Sequence, residues 1–251
     1  MNKSSNNIGL FVSCLVDLTR PSVGFAAVKL LEAGGCKVTV PAQSCCGQPA
    51  YNSGCKGEAK EIAKATIEAF KDCDKIVVPS ASCAGMLKFH VKTLFESNDD
   101  QSEEQLHWLN AAKELSERTY ELTDFLYSEM GLEQVEPKFN GAIAYHESCS
   151  ARREMKLQAP LKLLNTIKGA EIIDLPANEE CCGFGGLFSV KFDEISNAMV
   201  ETKINHIKSA NIDILTGVDL GCLMNIGGKL TKQGHDVEVF HIAEVLAGEA
   251  F

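Results

Sequence analysis

The chain has 251 residues, 45% of them hydrophobic, with a formal net charge of −10 and a pI near 5.1. That acidity excludes nucleic acid and anionic membrane surfaces as electrostatic partners. No apolar run approaches the roughly 18 residues that a spanning helix needs, so no transmembrane segment is expected.

The N-terminal run "IGLFVSCLVDLTR" has the apolar density of a signal core, but Asp17 and Arg20 follow at once and no small-x-small cleavage site appears. It reads instead as a buried strand over 8–13 that ends in Ser-Cys, at Cys14. A helix is predicted over 22–33 and a second strand over 37–40, followed by the turn that holds Cys45, Cys46 and Gly47. "GEAKEIAKATIEAFKD" sets Ile62, Ala63, Ile67 and Phe70 near helical period and predicts a helix over 57–72. A third strand, 75–79, delivers Cys83. A stretch near 96–117 is acidic at its start and then helical in pattern; its helix, 102–118, carries Leu106, Leu109 and Leu115, which read as packing or as a face for a partner. "GLEQVEPKFNG" (131–141) reads as a linker. The series then begins again: a strand over 142–146, Cys149, a helix over 158–167, a strand over 171–175, Cys181, Cys182 and Gly183, a helix over 195–210, a strand over 212–216 and Cys222.

This is an internal repeat. "IGLFVSC" aligns with "IAYHESC", "VPAQSCCG" with "LPANEECCG", "IVVPSASCAGM" with "ILTGVDLGCLMN", and "YELTDFLYSEMG" with "FHIAEVLAGEA". Cys14 to Cys45 is 31 residues and Cys149 to Cys181 is 32; Cys46 to Cys83 is 37 and Cys182 to Cys222 is 40. Eight of the eleven cysteines obey the pattern. Cys36, Cys55 and Cys73 do not, and read as packing residues. Strands alternating with helices imply parallel sheets, whose ligands sit beyond the carboxyl ends of the strands. The fold expected is therefore α/β: two similar open parallel-sheet, Rossmann-like halves related by a pseudo-two-fold axis. Residues 1–135 form the first half, with its helical insertion, and 136–251 the second.

In each half four thiols converge on one edge: Cys14, Cys45, Cys46 and Cys83, then Cys149, Cys181, Cys182 and Cys222. Four thiolates match the ligand count of tetrahedral zinc or of an iron–sulfur cluster. Neighbouring side chains on an extended chain point apart, so a Cys-Cys pair needs a tight turn to aim both sulfurs at one object. Gly47 and Gly183 permit that turn. A multi-iron cluster accommodates vicinal donors better than one zinc does. A redox-active vicinal disulfide is the competing chemistry; it is strained and leaves the flanking cysteines unexplained. His146, three residues before Cys149, reads as a ligand or hydrogen-bond donor to a cluster, or as an ordinary strand-end histidine. Arg152 and Arg153 read as charge balance for an anionic cluster, as a clamp for a carboxylate substrate, or as solvated helix-start residues. "GFGG" (183–186) departs from the dinucleotide fingerprint, and its glycines suit close backbone approach to a cluster.

The combination of "CLVD" (14–17), "CCGQPAYNSG" (45–54), "TYELTDFL" (119–126), "CCGFGGLFSVK" (181–191), "GCLMNIGG" (221–228) and "HIAEVL" (241–246) resembles the lactate utilisation protein A family. That family consists of cysteine-rich iron–sulfur oxidoreductase subunits related to those of heterodisulfide reductase. The resemblance implies an iron–sulfur electron-transfer subunit in a system that oxidises L-lactate to pyruvate. It also implies two partner subunits, an iron–sulfur protein and a third protein, and a cytoplasmic location or attachment to the inner face of the membrane through those partners. There is a departure. In the heterodisulfide reductase type the last cysteine belongs to a Cys-x-x-Cys pair, whereas Met86 and Asn225 stand here in place of the further cysteine. Each half thus offers four thiolates, which suits a single 4Fe–4S cluster per half, or zinc in one half. A zinc-stabilised assembly subunit without a redox role, and a thiol–disulfide protein, remain the other readings of the same residues.

Overall fold

The computed structural model describes residues 7–96 and 102–250. They form two four-stranded parallel sheets. The first contains β1 (Asn7–Leu10), β2 (Lys37–Thr39), β3 (Lys75–Val78) and β4 (Thr119–Glu121), in the order β2-β1-β3-β4. The second contains β5 (Lys138–His146), β6 (Lys168–Ile173), β7 (Ile214–Gly217) and β8 (Glu238–His241), in the order β6-β5-β7-β8. The two orders are the same, as the repeat requires.

The central strands are apolar on both faces because both faces are covered. Ile8, Leu10 and Val77 point into the same core as Ile143, Tyr145 and Ile214 of the other sheet. Helices Ser22–Ala33, Ala159–Leu164 and Ile242–Leu246 contribute to that shared core. The alternate residues Ile76 and Val78 face outward onto helices Lys56–Ala69 and Glu103–Arg118. Ala144 and Leu215 do the same beneath helices Asp193–Ser209 and Leu220–Lys232. The layers therefore run helix, sheet, shared helices, sheet, helix. Polar contacts cross the shared layer. Arg20 pairs with the buried Glu244 at 2.9 Å, and Ser22 Oγ donates to the same carboxylate at 2.6 Å.

The structure corrects some of the sequence-based bounds. β1 stops at Leu10, and Cys14 opens a helix, Cys14–Thr19, because Ser13 caps it by accepting from Val16 N at 3.4 Å. β5 begins at Lys138, inside the stretch expected to be linker, and Val135 is already buried in the shared core. β4 and β8 add a fourth strand to each half that no periodicity announced. Residues 97–101 of the expected insertion lie outside the described residues. Its helix, Glu103–Arg118, is capped by Ser102 and buries Ala112, Leu115 and Ser116, while Leu106 is exposed. Among the described residues no helix is long and apolar enough to cross a membrane.

Candidate metal centre

Every repeated cysteine lies just beyond the carboxyl end of a strand. Cys14 follows β1, Cys45 and Cys46 follow β2, and Cys83 follows β3; Cys149, Cys181–Cys182 and Cys222 stand likewise after β5, β6 and β7. Parallel strands bring these ends to one edge, which is how residues about 70 apart in sequence meet. Each loop is braced locally. Gln43 Nε2 donates to the Leu10 carbonyl at 3.1 Å, and its counterpart Asn178 Nδ2 donates to the Tyr145 carbonyl at 3.0 Å. These amides pin the Cys-Cys loops to the ends of β1 and β5. Sequence reasoning missed them, although the repeated Pro-Ala-Gln and Pro-Ala-Asn were in view.

Gly47 and Gly183 sit in the left-handed region, at φ 87° and 82°, and make the turn expected of them. Each aims its N–H at a sulfur: Gly47 N lies 3.4 Å from Cys45 Sγ, and Gly183 N lies 3.4 Å from Cys181 Sγ. Phe184 N approaches Cys182 Sγ at 3.5 Å. The first two amides of "GFGG" thus point at thiols.

The thiols of each half are near enough to shift one another's ionisation. In the first half Cys45 is influenced by Cys46 and Cys14, and Cys46 also by Cys83. In the second half Cys181 is influenced by Cys149 and Cys182, and Cys182 also by Cys222. Proton sharing divides them. Hydrogen bonds, first from Cys46, lower Cys45 to about 6, while burial and then the neighbouring Cys45 raise Cys14 to about 11. Cys181 is likewise pushed down by its hydrogen bonds with Cys149 and Cys182, and those two thiols are pushed up by the same contacts. One thiolate per half is favoured by itself. A cation that displaced the remaining protons would stabilise all four, which is how metal affinity couples to thiol ionisation.

The halves differ around this common set. His146 is 1% exposed, and neither ring nitrogen has a hydrogen-bond partner. Burial, then the nearby Lys203, holds its imidazole neutral by lowering its pKa to about 3. A ring nitrogen of His146 and the sulfurs of Cys182 and Cys222 all lie within 4.8 Å of one another. Lys203 is itself fully buried and donates to the carbonyls of Ala177 and Asn178 at 3.3 and 3.0 Å, placing a cation beside the second set of thiols. The first half has Phe11 at the position that matches His146, in its outer core.

The other candidates separate. Arg152 Nη2 donates to the Glu179 carbonyl at 2.7 Å, which ties the Cys149 segment to the loop ahead of Cys181; Arg153 is exposed. Met86 is buried in the outer core, and Asn225 Nδ2 donates to the Cys182 carbonyl at 2.8 Å. Cys73 packs beneath β1 as expected, and Cys36 lies 3.9 Å from the Met130 sulfur. Cys55 does not pack: it is exposed at the start of helix Lys56–Ala69.

A further residue joins the two centres. Asp219, buried and three positions before Cys222, accepts from Ser80 Oγ at 2.8 Å, from Ser82 N at 2.9 Å and from Ser82 Oγ at 2.8 Å. Its other oxygen accepts from Ser148 Oγ. One carboxylate thus ties the segments that carry Cys83, Cys149 and Cys222. Between the two Cys-Cys loops lies a cleft of about 250 Å³ lined in part by Gln48, Pro49, Gly185, Gly186 and Phe188.

Known proteins place this architecture. The family model of the CCG cysteine-rich domain matches twice, at residues 8–88 and 143–227. Lactate utilization protein A of Geobacillus sp. is 48% identical over 241 residues, which cover 95% of this chain and 98% of that protein. The protein of the same name from Shouchella clausii is 46% identical, over 96% of this chain and 98% of its own length. A hypothetical protein from Helicobacter pylori, 13% identical, shares the fold at a TM-score of 0.58 over 99% of this chain and 49% of that one. With two matched domains and near-complete coverage of such relatives, the chain belongs to the lactate utilization protein A family and is built from two copies of the CCG cysteine-rich domain.

Proposed function

We propose that the chain is an iron–sulfur electron-transfer subunit of a system that oxidises L-lactate to pyruvate. The observation that supports the reading is the placement of four thiols, each shifting a neighbour's ionisation, beyond the carboxyl edge of each sheet. The name of the relatives supplies lactate; the cysteines supply the redox chemistry. In this reading Cys14, Cys45, Cys46 and Cys83 hold one 4Fe–4S cluster, and the set Cys149, Cys181, Cys182 and Cys222 supplies the thiolates of a second.

The donor set fits such a group. Soft thiolates select iron–sulfur clusters or zinc over hard cations. Vicinal sulfurs on a glycine turn, with backbone N–H groups already aimed at them, suit an object with several metal atoms. When bound, a cluster supplies one-electron transfer at a potential set by its ligands, the hydrogen bonds to sulfur and its exposure. The chain's own residues do the rest. Gly47 and Gly183 direct N–H groups at Cys45 and Cys181. Lys203 offsets negative charge from within the protein. Asp219 keeps the two sites in fixed relation. Lactate oxidation then needs partners, an iron–sulfur subunit and a third protein, with this chain working in the cytoplasm.

Anaerobic purification tests the proposal on one sample. Iron and acid-labile sulfide in comparable amounts, with a broad visible absorbance that bleaches on reduction, are expected. Zinc without sulfide would replace the reading with that of a zinc-stabilised assembly subunit. Metal-free protein with an oxidised Cys-Cys pair would replace it with thiol–disulfide chemistry.

A further inference from the structure

We propose that an imidazole nitrogen of His146 is a direct ligand of the metal centre in the second half, so that the two halves hold chemically different centres, all-thiolate in the first and mixed thiolate–imidazole in the second. This rests on the reading that each half binds metal, and it goes further by distinguishing the halves.

Three observations converge. His146 is 1% exposed with both ring nitrogens unpartnered. A buried polar group left so forfeits its hydration with nothing in exchange, and few natural sites carry that cost without a compensating bond. The same ring reaches the thiols: one nitrogen, Cys182 Sγ and Cys222 Sγ fall within 4.8 Å of one another. Metal–sulfur bonds near 2.3 Å and metal–nitrogen bonds of about 2.0–2.1 Å make such a spacing compatible with donors to one metal centre. Third, the repeat supplies an internal control. Phe11 occupies the position three before Cys14 and packs against Phe70 at 5.7 Å between ring centroids, with no donor to offer. Neutral imidazole is a good donor to iron and to zinc alike.

The test uses the full-length chain, grown with histidine carrying ring nitrogen-15 and reconstituted anaerobically with iron and sulfide. Pulsed electron paramagnetic resonance of the reduced protein is expected to show a strong ring-nitrogen coupling that follows the isotope. His146→Phe, which copies the first half, is expected to abolish that coupling while the signal of the first centre persists. His146→Cys is expected to keep the metal content and lose the nitrogen coupling. Clusters in both halves without a strong ring-nitrogen coupling in the unsubstituted chain would overturn the proposal, as would a coupling that survives in His146→Phe. A chain that takes up zinc but no sulfide would overturn the iron–sulfur reading instead. X-ray absorption at the zinc edge then decides the ligand: a nitrogen that disappears in His146→Phe supports His146, and an all-sulfur shell removes it.

Discussion

At the scale of single residues, the Cys-Cys-Gly turn does two jobs. Its glycine takes a backbone conformation closed to most side chains, and its N–H then faces the sulfur of the first cysteine of the pair. The two turns are not equally tolerant. A Cβ on Gly47 would meet a methyl of Ile62 at 3.3 Å, whereas one on Gly183 would meet the backbone oxygen of Ser196 at 2.6 Å. Gly47→Ala is expected to cost about 1–3 kcal/mol for the left-handed residue alone. Gly183→Ala is expected to cost more, because helix Asp193–Ser209 must also shift; urea midpoints of the two variants check the order. The eight-to-three division of the cysteines is testable in the same way. Cys182→Ser keeps the size of the residue but is a far weaker ligand for soft iron, and is expected to remove the second centre. Cys73→Ala is expected to leave iron and sulfide per chain unchanged and to cost about 1 kcal/mol of packing. Equal metal loss in both variants contradicts the division.

At the scale of elements, the fourth strand of each half is where local reading fails. "TYE" and "EVFH" are too short to show a period, and they become strands only because β3 and β7 offer them edges. Both end on a polar N-cap. His241 forms a capping box with Glu244, and the fully buried Glu121 accepts from Thr123 N at 2.7 Å and Asp124 N at 3.2 Å. Burial raises the Glu121 carboxyl from 4.5 to about 8, against the pull of those hydrogen bonds. Between these values the folded chain holds a proton that the unfolded chain has released. Stability is therefore favoured below the lower value and falls as pH rises through the window, by no more than about 1.4 kcal/mol per pH unit for one proton. His146 and Cys45 are shifted the other way and oppose this slope, so the contribution is read as a difference: in urea unfolding of metal-free protein, Glu121→Gln is expected to gain stability relative to the unsubstituted chain between pH 5 and pH 8. A difference that does not change between the two pH values removes the assignment to Glu121. By contrast, helix Ser22–Ala33, β3 and both Cys-Cys turns were legible, since apolar runs and glycine carry their own local signal. His146 was legible only as one of several readings. Its isolation from other polar groups is a property of packing, which no spacing reveals.

At the scale of the whole molecule, the repeat that makes the halves alike also makes them dependent. Spacing alone divides the chain near residue 135, but the core does not divide there. Ile8, Leu10 and Val77 share one cluster with Ile143, Tyr145 and Ile214, and helices Ser22–Ala33 and Ile242–Leu246 pack within it. Separation would expose the inner face of both sheets, at about 25 cal/mol for each Å² of apolar surface returned to water. It would also strand polar groups. Glu244 would lose Arg20 and Ser22, and Asp219 would lose Ser80 and Ser82. We therefore expect residues 1–135 or 136–251, expressed alone, to be aggregated or loosely packed, with strong binding of a hydrophobic dye and poorly dispersed amide resonances. Co-expression of the two pieces is expected to restore a one-to-one complex with the metal content of the intact chain. If either piece proves monomeric, well dispersed and able to hold its own centre, the halves are autonomous domains and the shared core is an interface between them rather than the core of both.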